Sequence, residues 1–150
     1  MSDVRVSNGS SAWRMACSVS VDIAAPVAKV WALLGDVKQL VNWNSTITSL
    51  DGEIALGKKL KLRVPISPRT FTPTVSELEP PLRMVWSDGF APMFLGVRTF
   101  RLSEIPDGTR FEMQEVFSGL MLPLIRRSLP DFGPPFEQWA RDLKRAAEAE

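Results

Sequence analysis

Hydrophobic and polar positions follow three successive rhythms along this chain. In the first, Cys17, Val19, Val21 and Ile23 alternate with Ser18, Ser20 and Asp22, the period of a strand with one face in a core. The rhythm then changes. Pro26 suits a first helical position, Val27, Val30, Trp31 and Leu34 recur at helical spacing, and Gly35 is a stop. A second short helix is predicted over VKQLVNW, with Val37, Leu40 and Val41 sharing a face and Trp43 just beyond.

Strand rhythm resumes at Thr46 and lasts to Ser118. Residues 46–50 lead into an Asp51-Gly52 turn, and Leu60, Leu62 and Val64 alternate with Lys59, Lys61 and Arg63. RTFTPTVSEL and RMVWSD are separated by Pro80-Pro81, and Pro73 argues for an edge position or a bulge. FLGVRTFRLSEI and TRFEMQEVFS are joined by Pro106-Asp107-Gly108, a hairpin signal. LMLPLIRRSLP is apolar but broken by Pro123 and Pro130, which predicts a short helix or ordered loop. The last segment is helical over about residues 135–147. Phe136, Trp139, Ala140, Leu143 and Ala147 form one stripe, and Glu137, Arg141, Asp142, Arg145 and Glu148 the other. Trp139 and Leu143 should face the sheet. Residues 1–13 read as a disordered tail, and residues 14–150 as a single domain without repeats or linker.

Composition narrows the chemistry. Apolar residues are 45% and charged residues 23% of 150, with net charge +1. That balance suits a globular domain and offers no basic field for nucleic acid. There is no His, no Tyr and one Cys. Histidine-based nucleophile pairs, histidine-ligated metals and disulfides within the chain are therefore excluded. No cofactor and no metal are expected. No run approaches the ~18 apolar residues of a membrane span, so stable membrane insertion is not expected. With no secretory signal, the expected compartment is the cytoplasm, and the expected state a monomer or weak homodimer.

One residue breaks the pattern of the last strand. Phe111, Met113 and Phe117 alternate with Glu112, Gln114 and Ser118, yet Glu115 occupies the apolar phase. A carboxylate facing a core needs a partner. If Ile105 pairs with Arg110 across the hairpin, Phe100 opposes Glu115 and Arg98 opposes Phe117. Arg98 then lies diagonally from Glu115, at the ~7–8 Å backbone separation of such neighbours. The pair is either a structural anchor or the polar end of a ligand cavity.

SVSVDIAAPVAKVWALLGDVKQLVNW at the front and GTRFEMQEVFSGLMLPLI near the end resemble the helix-grip superfamily. This superfamily, also called START-like or SRPBCC, includes START lipid-transfer domains, pollen allergens and polyketide cyclases/dehydrases. Glu115, Phe117 and Gly119 resemble the E-x-F-x-G ending of the last strand in the polyketide-cyclase-like bacterial branch. The resemblance implies an α+β fold of order β-α-α-β6-α, with a seven-stranded antiparallel sheet curled around the C-terminal helix. It also implies an apolar cavity between them.

On that basis the expected function is binding or transport of a small hydrophobic molecule, such as a lipid or polyketide. Its expected ligand-binding residues are Phe71, Met84, Trp86, Phe90, Arg98, Phe100, Met113, Glu115, Phe117, Phe136 and Trp139. The alternative is a cyclase or dehydrase with Glu115 as acid or base and Arg98 stabilising an enolate. A protein-interaction module of the co-chaperone type is the third. Residues 65–69 and 87–93 are candidate gates, Cys17 an inert core thiol, and Arg126 and Arg127 a solvated surface.

Overall fold

A computed structural model describes residues 4–129 and 131–149. Two strands open it, β1 (Arg5–Ser10) and β2 (Arg14–Ile23). They are followed by helices α1 (Val27–Leu34) and α2 (Val37–Trp43) and three short strands, β3 (Ser49–Asp51), β4 (Lys61–Arg63) and β5 (Thr70–Phe71). The longer strands β6 (Thr74–Glu79), β7 (Arg83–Phe90), β8 (Phe94–Ile105) and β9 (Gly108–Ser118) come next. After α3 (Leu122–Ile125) and a turn of 3-10 helix, the chain ends in α4 (Gly133–Glu148).

Residues 5–10 correct the reading of the first thirteen as a disordered tail. All six are exposed, so no hydrophobic pattern marks them. They are held by pairing with β2, from Arg5 opposite Ser20 to Ser10 opposite Met15. Residues 1–3 of that expected tail lie outside the described residues. The expected helices at 26–35 and 37–43 are present, although Val41 is exposed and only Leu40 of α2 is fully buried.

The single seven-stranded sheet is also corrected. The strands form a six-stranded sheet, β1-β2-β9-β8-β7-β6, and a three-stranded one, β3-β4-β5. Pro73 divides them: lacking an N–H, it cannot donate to a ladder, and it falls in the gap between β5 and β6. Its carbonyl still accepts from Leu60 N at 2.8 Å, and Val75 N donates to Lys58 O at 2.9 Å. One bridge, Lys59 to Thr74, therefore joins the two sheets.

α4 packs Phe136, Trp139, Ala140, Leu143 and Ala147 into the core, as its stripe predicts. Asp142 departs from the polar stripe and is buried. Its Oδ2 accepts from Ser45 N (2.8 Å) and Ser45 Oγ (2.6 Å), and its Oδ1 from Gln138 Nε2 (2.7 Å). Buried carboxylates require such partners, and these tie α4 to the segment leaving α2.

Candidate functional site

Four inward residues lie in one row across four strands. Cys17 is opposite Glu115, Glu115 opposite Arg98, and Arg98 opposite Trp86. The hairpin between β8 and β9 closes with Ile105 opposite Gly108, a two-residue loop rather than the longer one expected. Two-residue loops match the strand twist best. The shift is two residues, so every side chain keeps its face while Arg98 moves from the diagonal to a position directly across from Glu115.

Arg98 Nε donates to Glu115 Oε1 at 2.7 Å, and the two side chains are 14% and 10% exposed. The guanidinium carbon stands 5.0 Å from the centroid of Phe136 and 5.5 Å from that of Trp139, within cation–π range. Among the described residues the Nη groups of Arg98 make no hydrogen bond. Gly96, opposite Phe117, leaves room beside the carboxylate: a Cβ there would meet the Phe117 ring at 3.1 Å and Glu115 Oε2 at 3.4 Å.

Burial pushes the Glu115 carboxyl above its usual range, and Asp88 adds to this, against the lowering effects of the Arg98 charge and hydrogen bond. A raised folded-state value means the native protein holds more protons than the unfolded chain between the two values. Stability from this group therefore falls as pH rises through its raised folded value and recovers as pH drops toward 4.5, its unbound reference. Glu115→Gln should remove that component from the stability–pH curve. Arg98→Met should move it to higher pH, which urea unfolding across pH 4–8 would reveal as a displaced inflection.

The interior around this row is aromatic. Trp86 and Phe100 centroids are 4.8 Å apart, Phe100 and Trp139 5.5 Å, and Trp86 and Trp139 6.4 Å. Met84, Phe100, Met113 and Trp139 are each at most 2% exposed. The indole N–H groups of Trp86 and Trp139 are buried and find no acceptor among the described residues. A cavity of about 250 Å³ opens at the Cys17 end of the row, lined by Asn8, Ser10, Met15, Cys17, Phe117 and Phe132, among others. Trp86, Arg98, Glu115 and Trp139 are not part of its wall.

The expected ligand-binding residues divide accordingly. Met84, Trp86, Arg98, Phe100, Met113, Glu115, Phe136 and Trp139 converge on the row. Phe117 belongs to a chain of rings with Phe94 (5.8 Å) and Phe132 (5.1 Å), continued from Phe132 to Phe136 (6.1 Å). Phe71 is partly buried and packs against the edge of this core from the three-stranded sheet, under the guanidinium of Arg69 at 5.5 Å. Phe90 is 71% exposed, because β7 continues to it and carries it to the hairpin tip. The expected loop at 87–93 thus shrinks to a turn at 91–93, while 65–69 is largely exposed turn. Phe132 and Trp43 (6.1 Å from Trp139) were not singled out from the sequence. Only aromaticity at a helix boundary marked them.

Gly119 has a backbone reason for its identity. Its φ is +128°, and a Cβ would sit 2.3 Å from Met93 O. Gly119→Ala should destabilise by about 1–3 kcal/mol, read as a shift of the denaturation midpoint at unchanged slope.

This architecture, with residues 14–149 of the chain, matches the family described as polyketide cyclase / dehydrase and lipid transport. The chain belongs to that family. Among solved structures this family member is similar to protein MLL2253 from Mesorhizobium loti, at 21% identity and TM-score 0.69, over 87% of this chain and 95% of that one. It is similar to the di-domain ARO/CYC BexL from the BE-7585A biosynthetic pathway at 16% identity and TM-score 0.70, over 93% of this chain and 52% of that one. It is also similar to CalU16 from Micromonospora echinospora, at 18% identity and TM-score 0.66, over 99% and 74%. At these identities the likeness is one of fold. No match was found among curated proteins. Among the described residues, no helix is long and apolar enough to cross a membrane, and no group of three or more His, Cys, Asp or Glu could hold a metal ion.

Proposed function

We propose that this polyketide cyclase/dehydrase-family domain binds a small, largely apolar molecule bearing an acceptor or anionic oxygen. The site lies between the inner face of the sheet and α4, with Arg98 meeting that oxygen. One observation carries the reading: a charged pair is embedded in an aromatic interior that also holds hydrogen-bond donors without acceptors. A buried ion pair is a poor device for stability alone, and a buried donor left unpaired costs about 1–3 kcal/mol. An occupant with a polar oxygen would use the free Nη groups of Arg98 and an indole N–H of Trp86 or Trp139. The apolar contacts would come from Phe117, Phe132 and Phe136. The open volume of about 250 Å³ lies at the Cys17 end of the row and is not lined by Arg98. It is below the roughly 300–1,000 Å³ of ligand pockets, so an occupant reaching Arg98 must be a one- or two-ring compound and must displace the rings between.

A suitable probe is 2-naphthoate, a planar aromatic carboxylate. Its addition should raise Tm with concentration and give saturable calorimetric binding. Arg98→Met should weaken that binding by roughly tenfold or more, as expected for losing a charge-assisted hydrogen bond of about 1.5–3 kcal/mol. Equal binding by Arg98→Met protein would remove Arg98 from the site.

The raised pKa of Glu115 favours a second reading, a cyclase- or dehydrase-type enzyme. Without His or Tyr, proton transfer in the interior would fall to Glu115, whose carboxyl burial pushes above its usual range. Arg98 would then stabilise developing enolate charge. In that case Glu115→Gln protein would retain binding and lose turnover.

A further inference from the structure

Five large apolar side chains stand exposed at one end of the molecule: Trp13 (56%), Phe90 (71%), Met93 (37%), Leu120 (57%) and Leu124 (76%). They come from three separate segments that backbone bonds hold together. Gly119 N donates to Trp13 O (3.2 Å), Leu120 N to Pro92 O (2.9 Å) and Met121 N to Met93 O (2.9 Å). Leu124 follows one turn later, its N–H on Met121 O at 3.1 Å. Water-exposed apolar groups so gathered mark an interaction site.

Three arginines accompany them. Arg14 adjoins Trp13 and is exposed on the outer phase of β2, and Arg127 is exposed just beyond α3. Arg126 reaches back to donate to the carbonyl of Ser11, which fixes it beside the Trp13 turn. Of the carboxylates on these same segments, Asp88 belongs to the inward phase of β7 and acts on Glu115, while Asp131 is exposed and lines the cavity at this end, one acid against three arginines.

We propose that this end of the protein is an interfacial docking surface for an anionic lipid bilayer. Trp, Phe and Leu tips with arginines around them suit the boundary between headgroups and acyl chains. Trp13, Met93 and Leu120 stand on turns, Phe90 ends β7 and Leu124 is on the short helix α3. A second copy set against the same end across a two-fold axis would bring Arg14, Arg126 and Arg127 toward their own equivalents, which like-charge repulsion opposes. Docking would be peripheral, with no segment crossing the bilayer. Ser10, Met15 and Phe117 of the cavity wall are within three residues of Trp13 or Leu120, so the cavity lies at the docking end. The inference does not depend on what occupies the interior.

Co-sedimentation with sucrose-loaded vesicles tests it. One set is phosphatidylcholine alone, and the other contains phosphatidylglycerol as the minor component. The full chain should partition onto the mixed vesicles, less onto phosphatidylcholine, and less as salt rises. Phe90→Ser combined with Leu124→Ser should reduce partitioning about tenfold or more with Tm unchanged, since both side chains are exposed. Arg14→Glu with Arg127→Glu should abolish the preference for phosphatidylglycerol. No partitioning onto either vesicle would overturn the proposal, as would partitioning indifferent to Phe90 and Leu124. Self-association of the free protein that the same serine substitutions abolish would overturn it in favour of a second copy.

Discussion

Trp139→Ala is expected to destabilise the protein by about 3–5 kcal/mol, the usual cost of emptying a large aromatic site from a core. The structure gives reasons for the upper part of that range. Trp139 contacts the rings of Trp43, Trp86 and Phe100, and the guanidinium of Arg98 lies over it at 5.5 Å. Its neighbours come from α2, β7 and β8, elements fixed by their own hydrogen bonds, so collapse around the void is restricted. For a domain of this size each kcal/mol moves Tm by roughly 2–4 °C. Chemical denaturation should show a lower midpoint at unchanged slope. A loss below about 1 kcal/mol would mean that α4 does not dock through this residue.

Glu115→Gln should have the second largest effect. Removing one member of a buried pair costs about 3–5 kcal/mol, because the other is left charged and uncompensated. The lower end, about 3 kcal/mol, is expected here, since an amide oxygen can still accept from Arg98 Nε and Arg98 is not wholly buried. Adding Arg98→Met should restore most of the loss. That recovery is the signature of mutual compensation, and a double-mutant cycle measures it. A Glu115→Gln protein of native stability that no longer binds 2-naphthoate would instead make the carboxylate a ligand contact and nothing more.

Most elements were legible because their hydrophobic period was strong. The helices at 27–34 and 37–43, the long hairpin strands and the stripe of α4 each carry several matching positions in a row. β1 was not legible. Its six residues bury nothing, and what orders them is backbone pairing, which leaves no mark on residue type. The burial of Asp142 was hidden for a related reason: its partners, Ser45 and Gln138, lie on a distant loop and one turn back on the same helix. Glu115 and Arg98 stood out because charge in an apolar phase violates the pattern. Phe71 and Phe90 were assigned to the site by composition alone. An aromatic residue is apolar wherever it falls, and only the path of β5 and the length of β7 decide where it ends up.

The two-residue offset in the hairpin has a consequence for how β8 and β9 find each other. Alternating apolar residues reject a slip by one place, since that would turn each buried side chain outward. They are nearly indifferent to a slip by two. In the register two places away, Glu115 would face Phe100, Arg98 would face Phe117, and both charges would enter the core without a direct partner across the ladder. The buried pair penalises that misalignment by its desolvation cost, while a Leu–Met pair in its place would accept either alignment. The same two residues that are candidates for meeting a ligand thus act during folding as a key that only one strand alignment fits. A Leu–Met replacement could then be both more stable than the parent and less uniform. Its β8–β9 amide exchange would show two populations where the parent shows one.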